Sequence, residues 1–273
     1  MRIGVTLQYD EYLSDNFKWC GDNGIFTCQL AVCPTMLTDE TARHIKELCK
    51  SHGMEITALV GAWSGPAEWN FTAGPATLGI VPPAFRAMRM GELIACAEFA
   101  VKLDVKDVCT HMGFIPENLG DALYPDVVAA IRHLATVYKK HGLRINMETG
   151  QETPVVLMRV INDVGLDNVG INFDPANFLM YGKANPIDAV SILKGHINGV
   201  HAKDGMYPIC GALLGVEMPL GQGKVDIKRF VRALYDIGYN GAITIEREIS
   251  GEQQKIDILA ANAMLKQLIG ELV

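Results

Sequence analysis

Residues 143–150 read Leu-Arg-Ile-Asn-Met-Glu-Thr-Gly, and their alternation is typical of a β-strand. Side chains two positions apart on a strand share a face, so Asn146 and Glu148 point to one side while Ile145 and Met147 point to the other. A carboxylate at the end of such a strand is costly to bury without a partner. The segment therefore indicates a strand that presents Glu148 at its carboxyl end for a purpose other than packing.

The same arrangement recurs in the three predicted strands that follow along the chain. Each is an apolar run that stops at a residue able to bind a metal: Asp174, His201 and Glu246. Asn146, Asn172 and Thr244 precede three of the four terminal residues by two positions. They could orient the carboxylates by hydrogen bonding, or they could simply fill the interior of the fold.

Strand and helix alternate eight times along the chain. Predicted strands cover residues 2–7, 25–32, 54–60, 107–110, 143–148, 169–173, 197–202 and 242–245. Predicted helices cover residues 14–22, 38–51, 82–103, 121–141, 154–164, 186–194, 225–237 and 252–272. This pattern predicts an α/β fold with one domain over residues 1–273, a parallel (β/α)8 TIM barrel. An open doubly wound sheet is the alternative, but its Gly-x-Gly-x-x-Gly turn does not follow the first strand.

In a barrel of this kind, the carboxyl ends of all strands face one mouth, and neighbouring strands lie about 4.8 Å apart. Glu148, Asp174, His201 and Glu246 should therefore converge. Any one of them alone would be an ordinary solvated or hydrogen-bonded group, but grouped carboxylates repel one another unless a cation lies between them. Three carboxylates and one imidazole favour one divalent ion, Mn²⁺, Mg²⁺ or Co²⁺, while Zn²⁺ stays possible.

Composition limits the partners and the compartment. Hydrophobic residues make up 49% of the chain and charged residues 20%, with a net charge of −7. This balance predicts a globular protein without a nucleic-acid partner, because phosphates call for a basic face. The sequence has no signal-peptide pattern and no long apolar segment, and its seven cysteines are scattered, so we expect a cytoplasmic protein without a membrane partner.

A long segment rich in glycine and proline, residues 61–83, carries Trp63, Trp69 and Phe71. Loops of this length inside a domain are usually functional and often act as lids. The aromatic side chains could cover a sugar ring, anchor the loop, or form a subunit interface in a homodimer or homotetramer. His111, just after the fourth predicted strand, also faces the mouth and could bind a substrate oxygen or cap a helix.

Four segments at the strand ends resemble the sugar phosphate isomerase/epimerase group. They are Asn146-Met147-Glu148-Thr149-Gly150, Phe173-Asp174-Pro175-Ala176-Asn177, Val200-His201-Ala202-Lys203-Asp204 and Ile243-Thr244-Ile245-Glu246-Arg247-Glu248. That group has the xylose isomerase-like barrel and includes ketose 3-epimerases, hydroxypyruvate isomerases, inosose dehydratases and, more distantly, endonuclease IV. The similarity extends over nearly the whole chain.

The resemblance implies that Glu148 and Glu246 bind the metal and also act as the acid/base pair, while Asp174 and His201 are ligands only. A divalent ion on a ketose would then stabilise an enediolate, and two carboxylates would move a proton between its faces, which is epimerisation or isomerisation. A lyase on the same enolate is the alternative, either an inosose-type dehydratase or a 3-keto-glycoside eliminase. Repair of DNA in the manner of endonuclease IV conflicts with the charge, and a non-catalytic barrel is a further alternative.

Three positions depart from the ketose 3-epimerase pattern. Asn177 replaces a histidine, Pro154 a glutamate and Tyr207 an arginine, all of which contact the sugar in that group. Glu152, Lys203 or Tyr207 could substitute for them, and Lys203 could instead be a solvated loop residue or bind an anionic group. The predicted substrate-binding set is His111, Glu152, Asn177, Lys203 and Trp63, and the predicted substrate is a sugar.

Overall fold

A closed barrel of eight parallel strands forms the centre of the structure, which is a computed structural model that describes residues 1–272. The strands are β1 (Arg2–Gln8), β2 (Thr27–Val32), β3 (Glu55–Gly61), β4 (Asp107–Thr110), β5 (Arg144–Glu148), β6 (Val169–Phe173) and β7 (Ile197–Ala202) and, after two short strands β8 (Asp204–Gly205) and β9 (Glu217–Met218), β10 (Ala242–Ile245). Their order around the barrel is β1-β10-β7-β6-β5-β4-β3-β2. The predicted TIM barrel is confirmed.

Helices surround the barrel and alternate with its strands. They are α1 (Leu13–Asp22), α2 (Asp39–His52), α3 (Gly74–Thr77), α4 (Pro83–Leu103), α5 (Leu123–Lys140), α6 (Pro154–Val164), α7 (Pro175–Met180), α8 (Pro186–Leu193), α9 (Ile227–Asp236) and α10 (Glu252–Gly270), with a 3₁₀ turn at Pro34–Met36. The eight predicted helices are present with bounds that differ by at most two residues. The sequence interpretation missed α3, α7 and the β8–β9 hairpin.

Helix ends follow ordinary capping chemistry. The Thr38 side chain accepts a hydrogen bond from the Thr41 backbone at the start of α2, and Gly53 ends that helix with a φ of 63°. The short helix α7 begins in the same way, because the Asp174 side chain accepts from the Asn177 backbone and Pro175 occupies the first helical position. This cap fixes Asp174 at the carboxyl end of β6, where the barrel mouth opens.

The barrel interior contains a layer of buried polar side chains below the mouth. Asn146 donates to Asp107 Oδ1 at 2.9 Å and accepts from Asn198 Nδ2 at 2.7 Å. Two strand glycines make room for this layer, since a Cβ at Gly170 would overlap the Asn198 amide and one at Gly199 would overlap Asn172. Asn146 thus fills the barrel interior, and its hydrogen bonds run to Asp107 and Asn198 instead of the carboxylates at the mouth.

None of the helices within residues 1–272 combines the length and the apolar character that a membrane span requires.

Candidate metal centre

Four side chains meet at the barrel mouth. Glu148 ends β5, Asp174 follows β6, His201 lies in β7 and Glu246 follows β10, and their ligand atoms all lie within 4.8 Å of one another. His201 and Asp174 are fully buried, and Glu148 is 3% exposed. The strand ends therefore bring together the set that the sequence singled out.

His201 Nδ1 is surrounded by the three carboxylates of this cluster. It lies 3.3 Å from Asp174 Oδ2, 3.3 Å from Glu246 Oε2 and 3.4 Å from Glu148 Oε1. One N–H cannot donate to three acceptors, and these separations exceed the length of a good hydrogen bond. Neighbouring ligands of an octahedral cation with bonds of about 2.1 Å lie about 3 Å apart. The donor set therefore fits a small divalent cation in both chemistry and spacing.

Burial and mutual charge strongly shift the protonation of these groups. Burial alone would raise the pKa of Glu148, but the neighbouring His111 and His201 outweigh it and hold the pKa at about 2. Burial would also raise the pKa of Glu246, but His201 and Lys203 outweigh it and lower the pKa well below its usual value. Burial would lower the pKa of His201, but Glu246 and Glu148 raise it. Both glutamates are therefore ionised at neutral pH.

Two amide side chains lie beside Nε2 at the other edge of the His201 ring. Nε2 lies 2.9 Å from Gln29 Oε1 and 3.0 Å from Asn172 Nδ2, and Gln29 Nε2 donates to Asn172 Oδ1 at 2.8 Å. A proton on Nε2 can be donated to the Gln29 oxygen, which leaves Nδ1 free to bind a cation. The sequence interpretation missed Gln29, although a glutamine inside the apolar β2 strand is unusual. The sequence left two roles open for Asn172, orienting a carboxylate or filling the interior, and the structure places it against the imidazole of His201.

The sequence left two roles open for Thr244, orienting a carboxylate or filling the interior, and the structure fits the second. It is buried and has no hydrogen-bond partner among the described residues. Thr244 therefore fills space at the base of the mouth and does not orient a carboxylate through a hydrogen bond.

A cavity of about 400 Å³ opens above the cluster. Its lining includes Glu148 and Glu246 together with Trp69, His111, Asn177 and Glu248. A volume of this size falls within the range of small-molecule sites, about 300–1,000 Å³. The cluster is therefore accessible to a small ligand.

His111 lies between the cluster and the wall of the cavity. Its Nε2 is 3.4 Å from Glu148 Oε1, its Nδ1 is 3.3 Å from Gln151 Oε1, and its ring meets the edge of Trp69 at a centroid distance of 4.9 Å. Burial would lower the pKa of His111, but the adjacent Glu148 raises it above its usual value. His111 is thus placed to contact both Glu148 and a ligand.

Lys203 is buried, with 1% of its surface exposed, which excludes the solvated-loop alternative. Its Nζ donates to Glu248 Oε1 at 2.7 Å and to Glu246 Oε2 at 2.9 Å, and lies 3.4 Å from Asn177 Oδ1. Burial would lower the pKa of Lys203, but Glu246 leads a set of carboxylates that raise it well above its usual value. The ammonium group is therefore charged and already paired.

Three other predicted contacts occupy distinct places. Glu152 is buried beyond β5 with both oxygens unpartnered among the described residues, and burial raises its pKa to about 8. Trp63 stacks behind Trp69 and does not line the cavity. Tyr207 lines a separate pocket together with Lys224, so it does not replace the missing arginine.

The chain matches a known family over most of its length, because residues 18–268 fit the family model described as xylose isomerase-like TIM barrel. The chain belongs to this family. A family member of known structure, a xylose isomerase domain protein from Planctomyces limnophilus, is 33% identical, with a TM-score of 0.93 over 99% of this chain and 98% of the other. The resemblance inferred from the strand-end segments is thereby confirmed.

Other proteins are similar to this chain at lower identity. The 3-keto-D-glucoside 4-epimerase of E. coli is 16% identical with a TM-score of 0.73, covering 98% of this chain and 99% of the other. The probable 3-DHS dehydratase of Bacillus anthracis is 16% identical with a TM-score of 0.68, covering 97% and 99%. An uncharacterized protein of Methanocaldococcus jannaschii is 26% identical over 164 residues, and the match spans 55% of this chain and 54%, about half, of that relative.

Proposed function

We propose that the protein is a divalent-metal-dependent epimerase or isomerase that acts on a ketose or a keto-sugar derivative. The observation that carries this proposal is the placement of Glu148 and Glu246. Both belong to the four-residue cluster, both line the same cavity, and they come from β5 and β10, which β6 and β7 separate in the barrel. Two ionised carboxylates that flank one cavity are suited to move a proton across a bound molecule.

Glu148, Asp174, His201 and Glu246 would hold the cation. A divalent ion bound there would polarise the carbonyl group of a ketose and so acidify the neighbouring C–H bond. Glu148 and Glu246 supply the proton transfers: one carboxylate accepts the proton from the carbon, and the other, after taking up a proton from solvent water, returns it from the opposite side. Return to the same carbon inverts it, whereas return to the neighbouring carbon isomerises the sugar.

The charge of the lining favours a substrate without phosphate. Lys203 already pairs with Glu246 and Glu248, and Glu248 itself borders the cavity. A phosphate group would meet carboxylates there instead of a free ammonium. Lys203 therefore holds Glu246 in place and does not bind an anionic group of the substrate. His111 and Asn177 border the same cavity and are our candidates for hydroxyl contacts.

A lyase on the same enolate is the second candidate, and Glu152 is the observation that favours it. Burial raises the pKa of this glutamate to about 8, so it carries a proton at neutral pH. A neutral carboxylic acid is the group that elimination needs, because a departing hydroxyl must be protonated. The epimerase proposal takes precedence because its two carboxylates line the cavity, whereas Glu152 lies outside the lining.

The test is incubation with neutral ketoses and Mn²⁺ in heavy water, followed by NMR. The proposal predicts deuterium on the carbon next to the carbonyl and an isomeric sugar as product. Glu148→Gln and Glu246→Gln should each abolish the exchange and leave the circular dichroism spectrum unchanged, while Glu98→Gln, an exposed control on α4, should exchange normally. A dehydrated product would support the lyase instead, and exchange retained in Glu148→Gln would refute the assignment of roles.

A further inference from the structure

Arg89 organises the long loop between β3 and α4 from inside. Its guanidinium group is fully buried, and among the described residues no carboxylate forms a salt bridge with it. It donates instead to four backbone carbonyls of this loop, those of Ser64 at 3.0 Å, Pro66 at 2.8 Å, Thr77 at 2.6 Å and Gly79 at 2.6 Å. A charged donor fork that binds one loop at four points fixes its course. The loop is therefore a preformed wall and not a free lid.

A second set of contacts joins this wall to the segment that carries His111. The Ile80 backbone donates to the Met112 carbonyl at 2.9 Å. Gly79 and Gly113 both have positive φ, 66° and 96°, and a Cβ at Gly79 would overlap the Met112 carbonyl. The two backbones thus approach as closely as glycine permits. The wall and the β4 end of the cavity consequently form one unit.

Two tryptophans connect Arg89 to the cavity through direct contacts. The Arg89 guanidinium lies 4.1 Å from the Trp63 ring, and the Trp63 and Trp69 rings stack at 6.4 Å with an interplanar angle of 26°. Trp69 then meets His111, which contacts Glu148. Trp69 is nevertheless 45% exposed and borders the cavity. A large aromatic ring is thus held in place on one side and left free on the side of the ligand.

We propose that Trp69 is the surface on which the substrate sugar stacks its apolar C–H face, with Trp63 and Arg89 as positioning residues behind it. This inference rests on the proposed function and adds the sugar-binding subsite. A sugar bears hydroxyl groups at its edge and C–H bonds on its faces, so it suits a site with carboxylates and imidazoles on one side and a flat ring on the other. Because Trp69 is already fixed, binding does not have to order it.

The test is binding of neutral ketohexoses, D-fructose, D-tagatose and D-psicose, to the Mn²⁺-loaded protein by calorimetry. For the sugar that binds best, Trp69→Leu should raise Kd about tenfold, and Trp69→Phe should restore most of the affinity because it keeps an aromatic face. Trp19→Phe, a control on α1, should bind like the wild type. Wild-type affinity in Trp69→Leu, or no binding of any of the three sugars by the wild type, would overturn the proposal.

A separate comparison of variants tests whether Arg89 acts on sugar binding through Trp69. Arg89→Met should also raise Kd, and the double variant Arg89→Met, Trp69→Leu should bind no more weakly than Trp69→Leu alone, because both changes remove the same contact. Additive losses would contradict a role for Arg89 that acts through Trp69, and hydrogen exchange over residues 62–82 would report whether the wall has loosened. Deuterium exchange that persists with unchanged sugar affinity in Trp69→Leu would refute the stacking subsite and leave the proposed reaction standing. Sugar binding that depends on Trp69 but is not accompanied by deuterium exchange in the wild type would refute the proposed reaction and leave the stacking subsite standing.

Discussion

Replacing Glu152 with glutamine should change how the stability of the protein depends on pH. Glu152 is 1% exposed and its oxygens have no partner among residues 1–272, so burial raises its pKa to about 8. In the unfolded chain the pKa is about 4.3. Between these two values the folded protein holds a proton that the unfolded chain has released.

The sign and the size of the effect follow from this difference. Because the folded state binds the extra proton, raising the pH through this interval lowers the free energy of unfolding, with a limiting slope of about 1.4 kcal/mol per pH unit. Titration of the folded state near pH 8 reduces the slope there, so the contribution of Glu152 falls by about 2 kcal/mol between pH 6 and pH 8. Glutamine has the same shape and does not titrate. The free energy of unfolding of Glu152→Gln, measured relative to that of the wild type, should therefore rise by about 2 kcal/mol from pH 6 to pH 8.

Urea unfolding of both proteins at pH 6, 7 and 8 measures this difference directly, because other titrating groups are common to the two proteins and largely cancel. Glu98→Gln, which replaces an exposed glutamate, should show a pH-independent difference from the wild type. A difference between Glu152→Gln and the wild type that stays constant from pH 6 to pH 8 would refute the reasoning. It would mean that Glu152 is ionised in the folded protein and has a charged partner.

Three further outcomes follow from the cluster at the mouth. Mn²⁺ at about 100 times its Kd should stabilise the wild type by about 2.7 kcal/mol in thermal unfolding. Asp174→Asn keeps the helix cap but should lose this stabilisation. Equal stabilisation of the two proteins by Mn²⁺ would exclude Asp174 as a ligand. Gln29→Leu should weaken Mn²⁺ binding by about 10- to 100-fold in a calorimetric titration, and unchanged affinity would exclude its role at His201. Lys203→Met should destabilise the metal-free protein by about 3–5 kcal/mol in urea because Glu246 loses its buried partner, and a loss under 1 kcal/mol would contradict that pairing.

The fold and the converging cluster could be predicted because both depend on local periodicity. Alternation of period two identifies a strand such as β5 and also specifies which face Glu148 shares. Once eight strands close into a parallel barrel, their carboxyl ends must meet, so residues distant in sequence become neighbours without further information. Asp174 followed by Pro175 is an ordinary capping pattern, so the sequence also indicates where α7 starts. The sequence interpretation missed this helix because it considered Asp174 only as a metal ligand.

The contacts that surround the cluster could not be predicted in this way. Whether Lys203 is solvated or paired depends on how closely β7 brings it to Glu246 and Glu248, which no local pattern states. Gln29 reaches His201 across the barrel interior from β2, a separation of 172 residues. Trp69 lines the cavity and Trp63 does not, because Arg89 fixes the course of the loop through backbone carbonyls. Hydrogen bonds to backbone carbonyls cannot be predicted from the pattern of side chains in the loop.

A crystal structure of the protein with Mn²⁺ and a bound ketose tests the central claim most directly. Anomalous scattering should place one Mn²⁺ in contact with Glu148, Asp174, His201 and Glu246, with the sugar in the cavity between the two glutamates. A manganese peak elsewhere, or a sugar that binds without a cation in this cluster, would contradict the account.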